Sequence, residues 1–433
     1  MSSFQGVVGF PSGIKFHWPL VQMREICSLN YGRALTADKR RDGHVPVYGS
    51  NGQAGTHDTH LAVGPTVILG RKGQGNLGVV WRDGPFWVID TAYYVTFSKS
   101  ISPRFFYYFV NFVGLNHLKD GTSNPSLSRD TFALQPFPMP PFKEQQRIAA
   151  ALAYLDDKIE LNRRMNETLE AMAQAIFRDW FVDFGPTRRK LEGATDPLTI
   201  MGGLVQDIER AQALADLFPA ALGDDGLLEG WAARAFDAFV EIIGGGTPKT
   251  SNESYWNGSI PWFSVTDTPP KGSIFVDVTE KNISEEGLAN SSARLVRAGT
   301  TIISARGTVG NLALTPHEMT FNQSCYGIQG KGAVGDCFVF LAAQNIVERL
   351  KGMAHGSVFS TITRSTFGNV HLACIPDKIF EAFENLARPM FDKVLENIKE
   401  SRTLAVTRDI LLPRLTSGEI RLSEADDLVE AAQ

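Results

Sequence analysis

The side chains that can distinguish nucleic-acid bases are gathered in a few short runs. In the first part of the chain these are Ser50-Asn51-Gly52-Gln53, Arg71-Lys72-Gly73-Gln74 and Ser123-Asn124-Pro125-Ser126-Leu127-Ser128-Arg129. In the second part they are Thr247-Pro248-Lys249, Arg306-Gly307-Thr308 and Ser357 to Arg364. Such residue types form the hydrogen bonds that read base edges in a groove or grip phosphates, often from loops. The candidates are Ser50, Asn51, Gln53, Arg71, Lys72, Gln74, Asn124 and Arg129, then Lys249, Arg306, Thr308, Ser360, Thr361 and Arg364. Arg71 and Arg306 serve equally well as partners in structural salt bridges. Gly75-Asn76 and Gly310-Asn311 read as turn formers that tolerate left-handed backbone.

Other chemistry finds little support. Gly73-Gln74-Gly75-Asn76-Leu77-Gly78 matches G-x-G-x-x-G, but that fingerprint must open a helix. Here Val79-Val80-Trp81 follows, a strand pattern, so a turn between strands is expected. The chain contains no G-x-x-x-x-G-K-[ST], H-E-x-x-H, G-x-S-x-G or N/D-P-P-[YF] run. His57 and His60 lie close in sequence without an evident partner and read as surface or core residues. Cys27, Cys325, Cys337 and Cys374 form no C-x-x-C pair, which argues against zinc or a disulfide framework and fits a reducing cytoplasm.

The elements that must position these runs repeat. A shift of 235 sets Arg71-x-x-x-Gly75-Asn76-Leu77 on Arg306-x-x-x-Gly310-Asn311-Leu312. It also sets Gly64 on Gly299, Gly121 on Gly356, Arg129 on Arg364, Thr131-Phe132 on Thr366-Phe367 and Pro141 on Pro376. The same shift continues through Asp157-Lys158 on Asp392-Lys393 and Asn162 on Asn397. Asp90 and Tyr94 fit Asn322 and Tyr326 at a shift of 232, and before Gly64 only Trp18 aligns, weakly, with Trp231. One shift held over such a distance signals a duplicated unit.

Each half reads as a globular region of short strands, such as Thr66–Leu69, Val79–Trp81, Tyr93–Phe97 and Thr300–Ile303, followed by a long helix. From Ile148, the positions 148, 152, 155, 159, 162, 166, 169, 173, 176 and 180 step by 4 and 3, a heptad seam. The second seam runs Phe383, Ala387, Met390, Val394, Asn397, Ser401, Leu404, Arg408, Leu411 and Leu415. Pro389 should kink or start that helix. The spacing predicts antiparallel pairing through Leu152, Leu155, Ile159, Asn162, Leu169, Val394, Asn397 and Leu404, with the asparagines near the crossing. A helix over 143–181 would be roughly 58 Å long, a rigid spacer between two globular domains. The fold class expected is α+β: two pseudo-repeated globular α/β domains separated by two long helices paired as an antiparallel coiled coil. The boundaries expected are 1–141, a helix at 142–185, a connection at 186–229, 230–375, a helix at 376–417 and a tail at 418–433. The connection should hold one short helix near 205–217, with Arg188-Arg189-Lys190 as a solvated turn.

With 433 residues, 43% hydrophobic and 21% charged, the chain supports two to three globular domains. It shows no signal-peptide pattern and no apolar run of membrane-spanning length. The net charge of −5 argues mildly against nucleic-acid binding, yet a loop reader needs basic loops and not a basic whole.

The run PMPPFKEQQRIAAALAYLDDKIELNRRMNETLEAMAQAIFRDWFVDFGP (138–186) resembles the central helix segment of the specificity subunits of type I restriction–modification systems. LFPAALGDDGLLEGW (217–231) resembles the lead into their second target-recognition domain, and PRLTSGEIRL (413–422) their C-terminal end. The resemblance implies a non-catalytic, cytoplasmic subunit whose two target-recognition domains, here 1–141 and 230–375, each read half of a split double-stranded DNA site. It further implies two methyltransferase subunits carrying S-adenosylmethionine, which flip and methylate an adenine, and two motor–nuclease subunits using ATP and magnesium. No cofactor is expected on this chain. The competing reading is a two-domain scaffold that binds proteins.

Overall fold

A computed structural model describes residues 15–224, 226–270, 272–353 and 361–420. Ser357 to Ser360 and residues 421–433, most of the expected tail, lie outside them. The chain divides into two compact units, one of residues 1–159 with 402–433 and the other of residues 160–401. Both long helices contribute a segment to each unit.

The first unit is built on a four-stranded antiparallel sheet ordered Cys27–Tyr31, Ala92–Phe97, Thr66–Gly70 and Val79–Arg82. The β-branched and aromatic run Thr66-Val67-Ile68-Leu69 is buried on both faces, as a central strand must be. A helix, Pro103–Val113, packs on it. Ser102 caps that helix by accepting from the Phe105 N–H, and Pro103 occupies the first turn, where its missing donor costs nothing. Its aromatic face meets Phe132 and Phe137 in edge and stacked contacts around 5–6 Å. A second sheet joins Gly52–His57, Val45–Gly49, Pro85–Val88 and Ala62–Val63.

The second unit repeats this plan. Its antiparallel sheet is ordered Val240–Gly244, Cys325–Gly330, Thr301–Ser304 and Leu312–Leu314. Ile303 pairs with Tyr326 where Ile68 pairs with Tyr94. Short helices at Arg129–Ala133 and Arg364–Gly368, and the long ones starting at Phe142 and Asp377, keep the 235-residue shift. The repeat also reaches further back than identity shows. Leu20–Gln22, Met23–Ile26 and Cys27–Tyr31 recur as Ala232–Ala235, Phe236–Phe239 and Val240–Gly244. That is a shift of 213 from Cys27 to Val240, the shift that sets Trp18 on Trp231.

The central helix, Phe142–Phe181, is a run of strong helix formers around Ala149-Ala150-Ala151. It ends where Phe184 takes a left-handed φ of 53° and Pro186 enters the first turn of the next helix. In the first unit Leu152, Leu155, Leu404, Leu411 and Leu415 are buried in one core, with Ile159 packed against it. Each such leucine contributes about 1.5–3 kcal/mol of burial. In the second unit Ala173, Ile176, Phe177 and Trp180 share a core with Ala387, Phe391 and Val394, and Leu169 packs on it.

The seam asparagines are buried and paired across the helices. Asn162, 1% exposed, donates to Glu400 at 2.7 Å and Ser401 at 3.3 Å; Asn397, also 1% exposed, donates to Asn166 at 2.8 Å. Rising numbers on one helix meet falling numbers on the other, so the pair is antiparallel. In the first unit the seam position Arg408 donates to Asp156 at 2.7 Å, and Asp156 also accepts from Tyr108.

Three expectations are corrected. Of the two roles expected for Pro389, starting the C-terminal helix is ruled out: that helix is Asp377–Ser417, close to the expected 376–417, and runs through the proline. The proline removes one backbone donor, and buried Ile379, Phe380 and Phe383 anchor the turns before it. The connection holds three helices, Gly185–Leu191, Pro197–Ile200 and Ile208–Ala215. The last two are capped by Asp196 and Asp207, signals that were open to reading in the sequence. Arg188-Arg189-Lys190 is helical, with Arg188 exposed and the other two bonded into the fold. Arg189 forms a two-pronged ion pair with Asp179 at 2.8–2.9 Å, and the Lys190 ammonium donates to the Ala215 and Phe218 carbonyls.

Candidate nucleic-acid interface

In the first unit the loop from Arg71 to Gly78 links two antiparallel strands, so the G-x-G-x-x-G run opens no helix. Two close approaches fix its base. A Cβ on Gly70 would lie 2.1 Å from the Ser50 carbonyl oxygen, and one on Gly78 would lie 3.1 Å from Asn51. The left-handed backbone falls on Gly73, φ 126°, and not on Gly75 or Asn76. This corrects the expected reason for that pair. Gly75 offers its carbonyl to the Lys119 ammonium, which also takes those of Gly73 and Gln74 at 3.0–3.4 Å. Asn76 accepts from Asn116, whose own oxygen accepts from the Leu77 N–H.

The sequence candidates converge on this loop. Ser50 donates to the Thr91 carbonyl and accepts from the Lys72 N–H. The Gln74 amide donates to the Thr122 and Ser123 carbonyls, beside exposed Asn124. The Leu127 N–H donates to the Arg71 carbonyl at 2.8 Å. Asn51 is exposed at the loop base, whereas Gln53, on the second sheet, turns its amide back on the Gly55 carbonyl.

Arg71 and Arg129 meet over one ring. Their guanidinium carbons lie 4.8 and 4.5 Å from the centroid of Tyr31, and Arg71 is 5.6 Å from that of Tyr93. Arg71 donates to the Asp90 backbone carbonyl at 3.0 Å. Among the described residues neither arginine has a carboxylate partner, so the salt-bridge alternative for Arg71 is replaced by ring stacking. Tyr93 is buried, its hydroxyl donates to the Leu127 carbonyl, and burial above all pushes its pKa up to about 12. It stays neutral, and the cluster keeps two positive charges. Tyr31 escaped the sequence reading because it stands forty residues before Arg71; no local pattern links them.

In the second unit the Arg306–Gly310 turn is tied differently. The Ser304 hydroxyl donates to the Thr308 carbonyl and accepts from the Asn311 N–H, and Gly307 and Gly310 take φ of 77° and 83°. Here the expected left-handed glycine is found at Gly310. Hydrogen bonds Ile362 N–H to the Ala305 carbonyl and Ala305 N–H to the Ser324 carbonyl bring Thr361 and Arg364 to this turn. Thr247 bonds Gln323, next to Ser324, and so draws the Lys249 segment in. Lys249, Arg306, Thr308, Thr361 and Arg364 are all exposed, and Arg306 has no side-chain partner among the described residues. Ser360 lies outside the described residues.

His57 is buried, with its Nδ1 accepting from the Arg41 N–H and its Nε2 3.3 Å from Asp58. Burial pushes the Cys27 and Cys325 thiols up to about 12, far from a reactive thiolate. Among the described residues no His, Cys, Asp and Glu group could hold a metal ion, and no helix is long and apolar enough to cross a membrane.

The chain as a whole is similar to known proteins. The family model described as type I restriction modification DNA specificity domain matches residues 17–171 and again 228–379. The chain is 27% identical over 392 residues to the type I restriction enzyme HindI specificity subunit of Haemophilus influenzae, covering 81% of this chain and 85% of that one. It is 26% identical to the MjaIX specificity subunit of Methanocaldococcus jannaschii, covering 81% and 73%. In fold it resembles the S subunit of a type I restriction–modification system from M. genitalium, with a TM-score of 0.59 at 14% identity over 94% of this chain and 97% of that one. A duplicated unit on a duplicated helix, matched twice by the same family model, places the chain: it belongs to the family of type I restriction–modification DNA specificity subunits.

Proposed function

We propose that this chain reads a two-part DNA target and performs no chemistry on it. Each unit presents one loop cluster to one half-site, Arg71 with Asn124 and Arg129 in the first, Lys249 with Arg306, Thr308, Thr361 and Arg364 in the second. The observation that carries this reading is the repetition. The same sheet, short helix and long helix recur, while the exposed side chains on the equivalent loops differ, as reading two different half-sites requires. A duplicated reader on DNA matches its half-sites by internal symmetry.

Methylation and cleavage then belong to partner subunits. Two methyltransferase subunits would supply S-adenosylmethionine and flip an adenine in each half-site, since chemistry on a base requires its extrusion. Two motor–nuclease subunits would supply ATP and magnesium chemistry. Partner cations in the phosphate grip would reconcile a net charge of −5 with DNA binding.

The test is to map modified bases across the source genome by single-molecule sequencing, with the gene present and deleted. The expected result is a split motif carrying N6-methyladenine on both strands that vanishes with the gene. If a methyltransferase co-purifies with this chain and the modification map does not change on deletion, the chain is a protein-binding scaffold.

A further inference from the structure

The first unit's cluster holds two like charges where repulsion should drive them apart. Arg71 and Arg129 lie 4.8 and 4.5 Å from the centroid of the same exposed ring, Tyr31. The arrangement is held from several sides. The Arg71 backbone donates to the Thr91 carbonyl and accepts from Leu127, and its side chain donates to the Asp90 carbonyl. Arg129 begins a helix whose cap, Ser128, accepts from the Thr131 N–H. Two guanidiniums stacked on one ring, with no carboxylate among the described residues to neutralise them, form a preorganised anion site. Held over the ring, each guanidinium keeps N–H groups to donate, the mode in which arginine binds phosphate.

We propose that Tyr31, Arg71 and Arg129 form a clamp for the DNA sugar–phosphate backbone, and that Arg71 and Arg129 do not read bases. This rests on the proposed function and assigns one part of that surface. A base-reading arginine must extend into the groove to reach a guanine edge. Arg71 is instead folded back on Tyr31 and Tyr93 and tied to Asp90. The clamp therefore fixes register and affinity, and sequence choice in this half falls to its exposed neighbours Asn51 and Asn124. Tyr31 acts through the arginines as a positioning residue.

The test uses the full chain in complex with its methyltransferase partner, measuring binding to a target duplex and a scrambled duplex across a salt series. Arg71→Gln and Arg129→Gln should each weaken binding to both duplexes by a similar factor. Each should also lower the slope of log affinity against log salt by about 0.9, the value of one lost phosphate contact on duplex DNA. The methylated motif should not change. Arg71→Lys and Arg129→Lys keep the charge and should retain the slope while losing affinity. Tyr31→Leu should lower affinity for both duplexes, with reduced slope.

Relaxed sequence choice at one position of the methylated motif in Arg71→Gln or Arg129→Gln would overturn the proposal, because that marks a base reader. An unchanged slope in both glutamine variants would overturn it equally. Retention of the first half-site at its other positions in the methylation map checks that the first unit folds in the variants, and the lysine variants decide the matter if the glutamine forms do not. If the wild-type complex fails to prefer its target over the scrambled duplex, the specificity reading itself falls, a failure distinct from that of the clamp.

Discussion

The Arg71 loop and the Arg306 turn leave equivalent strands of a duplicated sheet, yet they are held in different ways. Arg71 is stacked on Tyr31 and Tyr93, and its loop is pinned by Lys119, Gln74 and Asn116. Arg306 has no side-chain partner among the described residues, and its turn hangs on Ser304. The cause is legible in the register. The strand end that carries Tyr31, opposite Tyr93, in the first unit carries Gly244, opposite Tyr326, in the second. Without a counterpart of Tyr31, Arg306 stacks on no ring among the described residues. The scaffold has been copied and kept; the surface it presents has been rewritten. Substitutions should therefore separate cleanly into those that damage the shared scaffold and those that touch one surface.

The largest effects belong to the scaffold. Leu155→Ala removes a side chain 1% exposed in the first unit's core and should cost about 2–5 kcal/mol in denaturant unfolding. A loss under about 1 kcal/mol would mean that the helix pair is not packed as described. Next comes the polar seam. Asn397→Ala leaves the buried Asn166 Oδ1 without its donor, while the Asn166 amide keeps its bond to the Gly272 carbonyl, and should cost about 1–3 kcal/mol. The double variant Asn166→Leu, Asn397→Leu should recover most of that stability. A double variant as unstable as the single would show that the bond from Asn166 to the Gly272 carbonyl carries the stability.

The loop arginines sharpen the contrast directly. Arg71→Ala loses ring contacts with Tyr31 and Tyr93 and should destabilise the first unit by about 1 kcal/mol. Arg306→Ala should fall within about 0.5 kcal/mol of the parent, as exposed unpartnered residues do. Equal losses in thermal unfolding would erase the distinction between the two loops. The last contrast is a pH dependence in the second unit. Glu170 on the central helix is mostly buried, one carboxylate oxygen has no hydrogen-bond partner, and burial, then Glu167, raises its pKa to about 7. Its folded pKa lies above its unfolded value, so the folded state keeps a proton that the unfolded state has lost. Stability should then fall as pH rises from about 4.5 to 7. Glu170→Gln should flatten that decline and unfold at higher temperature than the parent at pH 8. A parallel decline in the variant would place the titration elsewhere.

Much of this was readable in advance where the signal is periodic or local. The 4-3 steps from Ile148 to Trp180 located a helix that spans Phe142–Phe181, because burial of one stripe demands that period. The shift of 235 set helices and strands in register without any knowledge of packing. The earlier shift of 213 was nearly silent. Strands such as Cys27–Tyr31 and Val240–Gly244 share an alternating, half-buried pattern and little identity, and only Trp18 and Trp231 showed through. Pro389 sits inside its helix and not at its start because buried Ile379, Phe380 and Phe383, none of them a capping signal, hold the turns before it. Of the candidate surface, the residue types were legible and their surroundings were not. Arg71 and Arg306 look alike in sequence, and only the distant Tyr31 makes one a stacked residue and the other a free one.

The central claim is that the two units read the two halves of one target independently. Its most direct test replaces residues 1–141 with the corresponding domain of another specificity subunit and maps methylated adenines by single-molecule sequencing. The account predicts a new motif in which one half changes and the other half is retained. A change in both halves would contradict it, because the units would then read DNA as one surface.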